Sequence, residues 1–188
     1  MKKLALIALL GAVALAMTCQ EPGPTPEQQL QAIFDESWDF QMREFPTYAT
    51  AVGIHDYNDK LTSMTLKDIE RRAQYWQEIL QRLEAIDREA LGTDAQINYD
   101  MFTRRVEDRV QEFEFKDYLI PITAEGGFHT GFARMAERVP LATTQDYENY
   151  IARLEAFGQY ADEYMTCLLY TSDAADEGVE GGGAGGGG

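Results

Sequence analysis

Thr65-Leu66-Lys67-Asp68 opens the stretch that decides the fold, and Ile69, Ala73, Trp76, Leu80, Leu83 and Ile86 follow it at three- and four-residue intervals. A threonine with an acid three positions on is an N-terminal cap, and that spacing puts the apolar side chains on one face of a helix. Gly92 is the expected stop. Upstream, Thr25-Pro26-Glu27-Gln28 is a capping box with proline at the first helical position. It leads into Leu30, Ile33, Phe34, Trp38, Met42 and Phe45, and Pro46 closes that helix. Downstream, Thr93-Asp94-Ala95-Gln96 begins a third helix with Tyr99, Phe102, Val106, Val110 and Phe113 inward. Thr143-Thr144-Gln145-Asp146 begins a fourth with Tyr147, Tyr150, Ile151, Leu154, Phe157 and Ala161. The class is all-α, antiparallel amphipathic helices with one irregular Gly-rich loop. Trp38 and Trp76 both lie on apolar stripes and are expected in the core.

Between the third and fourth helices, Tyr118-Leu119-Ile120-Pro121-Ile122 is too short and proline-broken for a helix. Gly126-Gly127-Phe128-His129-Thr130-Gly131-Phe132 reads as loop. Phe45 to Asp59 joins the first two helices by a short helical turn and a polar loop.

The ends are of another character. Lys2 and Lys3 precede an uncharged run from Leu4 to Met17, the basic and apolar parts of a secretory signal over residues 1–19. Ala14-Leu15-Ala16 fits ordinary signal peptidase. Ala16-Met17-Thr18-Cys19 resembles a lipobox, with Cys19 as the acylated first residue, and is favoured because a polar linker follows the cysteine directly. At the other end, eight of the 16 glycines fall in the last 11 residues. Cys167 to Glu177, back-translated, resembles a transposase adapter ligated to DNA for sequencing. Residues 167–188 are therefore expected to be a disordered, non-native tail. Residues 20–166 remain, one domain's worth, with Tyr160, Tyr164 and Met165 expected exposed at a severed edge.

A formal charge of −16 sets the chain against phosphate backbones and excludes nucleic acid as a natural partner; membrane contact is expected only through a lipid on Cys19. A catalytic zinc site takes three protein ligands, often two histidines one helical turn apart. The two histidines, His55 and His129, are far apart in sequence, and neither stands in H-E-x-x-H. No Gly-x-Ser-x-Gly and no phosphate-binding glycine loop occurs either. No catalytic, cofactor-binding or metal-ligating residue is assigned. Glu107, Asp108, Glu112 and Glu114 read as a solvated face. Gly126, Gly127 and His129 are the candidate cleft-lining residues: the glycines would let backbone approach a ligand to which the imidazole lends a proton, or His129 merely closes a loop.

Several short motifs in order carry a resemblance. Phe45-Pro46-Thr47-Tyr48-Ala49-Thr50-Ala51-Val52-Gly53, Tyr57-Asn58-Asp59-Lys60-Leu61, Asn98-Tyr99-Asp100, Gly126-Gly127-Phe128-His129-Thr130 and Asp146-Tyr147-Glu148-Asn149-Tyr150 are similar to the N-terminal region of the bacterial DUF885 family. The resemblance implies an exported, largely helical relative of gluzincin metallopeptidases, favoured as a periplasmic lipoprotein of the cell envelope. The chain would be a catalytically incomplete part of a larger metallopeptidase-like hydrolase. Zinc, the H-E-x-x-H motif and the peptide substrate would belong to a C-terminal half of the same protein, its expected partner. His129 would point toward that half, with Tyr118 to Ile122 leading into the cleft wall. A self-contained helical binding or scaffold lipoprotein without enzymatic activity is the alternative.

Overall fold

The computed structural model describes residues 23–180. The signal sequence and Cys19 lie outside them. Helix α1, Pro26–Glu44, starts on the expected box: the Gln28 amide N–H donates to Thr25 Oγ1 (3.3 Å), and Thr25 N–H donates to Gln28 Oε1 (2.9 Å). Phe45 breaks it and Pro46 opens α2, Pro46–Ala51. Gly53 follows at φ +88°, a left-handed turn that costs glycine nothing, and it redirects the chain so that Ile54 N–H donates to Ala49 O (2.8 Å). Helix α3, Leu66–Glu84, is capped by Thr65, whose hydroxyl accepts from Asp68 N–H.

Helix α3 does not reach Gly92. Asp87 accepts from Glu89 N–H and nucleates a 3-10 turn at Arg88–Ala90, so the chain leaves the helix before the glycine. Gly92 instead caps the start of α4, Thr93–Glu114. The core forms where α1, α3 and α4 meet: Leu30, Ile33, Phe40, Trp76, Ile79, Leu83 and Val106 are buried, and Phe34 meets Phe102 edge-to-face at 4.9 Å. Burying each such side chain stabilises the fold by about 1.5–3 kcal/mol.

Trp38 is not part of that core; it is 44% exposed. The buried stripe of α1 runs Leu30, Ile33, Ser37, Phe40, so Trp38 stands one residue, roughly 100°, off it. Ser37 can occupy the stripe because Tyr75 donates its phenol to the serine hydroxyl (3.4 Å).

After α4, a 3-10 turn at Asp117–Leu119 leads to β1, Ile122–Thr123, paired antiparallel with β2, Gly126–Gly127. Helix α5, Phe128–Ala133, follows. The loop expected over 126–132 is thus a two-residue ladder and a helical turn. Thr130 supplies the cap: its Oγ1 accepts from Gly127 N–H (3.2 Å) and donates to Gly127 O (2.8 Å).

A second 3-10 turn, Met135–Glu137, precedes α6, Thr144–Glu180. Its inward face is also shifted from the expected one. Tyr147, Ile151 and Leu154 are exposed, whereas Arg153 and Cys167 are buried and Tyr150, Phe157, Tyr160 and Tyr164 half-buried. The expectation of exposed Tyr160 and Tyr164 is corrected by Phe128, which stacks on the Tyr164 ring at 4.4 Å; Met165 is exposed as expected. Nor do the described residues of the 167–188 tail begin with a break. Helix α6 continues through them to Glu180, with Cys167 Sγ donating to Met64 O at 3.9 Å. Leu168, Leu169, Ala174, Ala175 and Glu177 are good helix formers, and a helix propagates through them whatever their origin.

Candidate functional site

A cavity of about 360 Å³ opens between α2, α5 and α6. Aromatic and aliphatic side chains make most of its wall: Tyr48 from α2, Phe128 and Phe132 from α5, Met135 and Val139 beyond it, Tyr160 from α6. Phe132 stacks on Phe157 at 3.9 Å, and Phe128 is held between Tyr160 and Tyr164, so the wall is braced from behind. Burial pushes the Tyr164 phenol well above its ordinary range, and the Tyr160 hydroxyl beside it acts in the same direction.

Arg153 joins the wall from α6, wholly buried. Its Nε donates to Lys60 O (2.8 Å). Its Nη2 shares two protons among Pro46 O (3.1 Å), Tyr57 O (3.1 Å) and Thr50 Oγ1 (2.8 Å). The guanidinium thereby ties α6 to both ends of the α2 turn and the loop after it. Thr50 offers its single proton to Pro46 O (2.9 Å) or Asn58 Oδ1 (2.7 Å), and Asn58 Nδ2 lies 3.2 Å from His55 Nδ1. His55 is in this way a member of a structural network. Burial lowers the Arg153 pKa, opposed by the charge of Asp59.

None of the three candidate cleft residues, Gly126, Gly127 and His129, lines this cavity. Their neighbours Phe128, Gly131 and Phe132 face it, while His129 is exposed on α5 with its ring edge-on to Phe128 at 5.8 Å. Gly126 and Gly127 pair with Thr123 and Ile122. A Cβ on Gly127 would lie 3.0 Å from Pro121 O and 3.2 Å from the His129 ring, so the glycine is needed for close approach of the chain to itself.

Arg153 was not legible as a site residue. Its signal is a charge placed between Tyr150 and Phe157, at the spacing of a buried helical face.

A second basic-aromatic cluster lies where α3 and α4 meet Phe45. Arg109 sits over Trp76 (5.0 Å) and Phe45 (5.9 Å), and Arg72 over Phe45 (5.7 Å) while reaching Glu44 at 3.4 Å. Among the described residues no group of three histidine, cysteine or acidic side chains is placed to hold a metal, and no helix is long and apolar enough to cross a membrane.

A family model described as "Bacterial protein of unknown function (DUF885)" matches residues 46–177, from the start of α2 through most of α6. The chain belongs to the DUF885 family. No curated protein and no solved structure matches it. The DUF885 match takes in every element of the cavity wall and Arg153 with its four acceptors.

Proposed function

We propose that residues 20–166 are the helical N-terminal part of a cell-envelope, metallopeptidase-like hydrolase acting on peptides, and that they wall its substrate cleft. The observation that carries this reading is the outer face of α6. Tyr147, Ile151, Leu154 and Met165 are 52%, 50%, 43% and 48% exposed, although α6 already buries another face. A helix that is apolar on two sides ordinarily has a neighbour on each, and a further part of the same protein is the neighbour the family resemblance supplies.

Zinc does not fit the residues in hand. His55 is engaged with Asn58, His129 stands on α5, and the described residues offer no third ligand beside either. The metal and the general base would come from the other part of the protein, so no catalytic step is drawn through this one. Export by the leader and an acyl anchor on Cys19 would place the hydrolase in the periplasm.

The test begins with the full reading frame from source DNA. The whole protein should retain stoichiometric zinc and hydrolyse peptides in a chelator-sensitive way, and residues 20–166 alone should do neither. A frame that closes soon after residue 166 makes the chain a self-contained helical binding lipoprotein. A long frame without H-E-x-x-H, whose product holds no zinc, makes it a family member that has lost the chemistry. Either outcome overturns the proposal.

A further inference from the structure

Arg153 brings five N–H protons into the interior, and only Nε and Nη2 have acceptors. Nη1 is buried and has no hydrogen-bond partner among the described residues. No carboxylate among them forms an ion pair with this guanidinium; the charge of Asp59 acts on it only from beyond contact distance. The other buried arginine, Arg72, has Glu44. A buried donor without an acceptor costs about 1–3 kcal/mol, and a buried charge without a counter-ion costs more. The first cost, and the part of the second that the Asp59 charge does not offset, fall on Arg153, the buried charged group in the cavity wall.

The same cavity carries a second guanidinium, the exposed Arg138, and the Thr47 hydroxyl; the rest of its wall is mainly apolar and aromatic. Its volume of about 360 Å³ stands at the small end of the range of roughly 300–1,000 Å³ typical of small-molecule sites. Two cations and no acid around an aromatic chamber are unusual in a chain of net charge −16, where acids outnumber bases two to one. We propose that this cavity is a binding site for a small apolar monocarboxylate, its hydrocarbon or aromatic body held between Phe128, Phe132 and Tyr160 and its carboxylate neutralising Arg153 and Arg138. Arg138 makes the first contact at the exposed rim. An anion lodged behind it offsets the Arg153 charge at short range, where the low dielectric makes the attraction strong, and direct contact with Nη1 follows as the wall gives. The inference concerns binding alone and stands whether or not the protein is a hydrolase.

Such a carboxylate can be a free small acid or the C-terminus of a peptide ending in an apolar residue. Calorimetric titration of the full chain separates these, using 3-phenylpropionate, its uncharged amide, and the peptide Gly-Gly-Gly-Phe with a free or an amidated C-terminus. The acid should bind at least about tenfold more tightly than the amide, since charge-assisted hydrogen bonds to a guanidinium carry the difference. Tighter binding of the free-acid peptide than of 3-phenylpropionate assigns the site to peptide C-termini; the reverse assigns it to free acids. Arg153→Met endangers folding, so two milder variants carry the decision. Arg138→Gln changes an exposed residue, and Gly131→Leu adds bulk at the cavity where a Cβ meets nothing within 4 Å. Each should weaken the acid about tenfold or more while circular dichroism and melting stay those of the parent. Equal binding of acid and amide, no binding of any probe, or unaltered affinity in both variants would overturn the proposal.

Discussion

Asp68 shows how much one side chain can hold at the start of a helix. Its Oδ2 accepts from Ser63 Oγ (2.6 Å) and Thr65 Oγ1 (2.8 Å), and Arg71 Nε donates to Oδ1 (3.2 Å). The Ser63 and Thr65 hydroxyls, then the Arg71 guanidinium, hold its pKa at about 2 against an ordinary 3.8. The folded-state pKa lies below the unfolded one, so this stabilisation is complete above the ordinary carboxylate range and is lost as pH falls toward about 2. Asp68→Asn should therefore lower the stability of the chain at neutral pH by on the order of 1 kcal/mol. Urea titrations of both proteins at neutral pH and again at pH near 2 check the sign: the gap should narrow at the acid end, and a gap of constant size would mean that shape, not ionisation, matters at this position. The capping role of Thr65 and Asp68 was legible in the order of residues, because a cap needs only partners within one turn. Ser63 was not, since nothing in its spacing says that the loop brings its hydroxyl back to the carboxylate.

At the scale of elements, Arg153 fastens α6 to α2 and to the loop that follows it. Replacing it with methionine keeps much of the length and removes every donor: Lys60 O and Thr50 Oγ1 lose the guanidinium, while Pro46 O keeps the Thr50 hydroxyl and Tyr57 O keeps Lys60 N–H. Arg153→Met should destabilise the chain by on the order of 3 kcal/mol, and hydrogen exchange should quicken first in residues 46–60. Uniform quickening across α1, α3 and α4 as well would show instead that α6 docking and the three-helix core are one cooperative unit. The four long helices, the caps at Thr25, Thr65 and Thr143 and most of the α3 face could be read from the order of residues; Gly92 rather than Thr93 caps α4, and Arg72 and Ile79 join the buried face of α3. The faces of α1 and α6 could not be placed to better than one position. In α1 a serine with a tyrosine partner outranks Trp38, and in α6 an arginine with four acceptors outranks Leu154. Polar residues enter a core when distant backbone satisfies them, and apolar spacing carries no record of that backbone. For the same reason the glycines of 126–127 mark a segment without saying which of its side chains turn inward: Phe128 and Phe132 face the cavity and His129 is exposed.

For the whole molecule, the question is which apolar surface belongs to the fold and which is held for a neighbour. The α1, α3 and α4 core closes on itself, and the inward face of α6 closes on α2 and α5. The outer stripe of Tyr147, Ile151, Leu154 and Met165 closes on nothing among the described residues. If these side chains contribute little to the fold, charges put in their place should be nearly free. Lysines at 151 and 154 are the gentlest choice, because Glu148 and Glu155 stand three and four residues from position 151 and the chain is strongly acidic. The double variant Ile151→Lys, Leu154→Lys should keep its urea midpoint, within about 0.5 kcal/mol of the parent, while losing apolar dye binding and any self-association seen by sedimentation. In the whole protein the same pair should behave differently: if the stripe seats a further part of the same molecule, two buried lysines there should cost several kcal/mol and expose the seam to proteolysis. Loss of stability already in the 188-residue chain would place the stripe in this fold's own core. An unperturbed whole protein would leave the outer face of α6 as plain solvent-exposed surface and remove the observation on which the hydrolase reading rests.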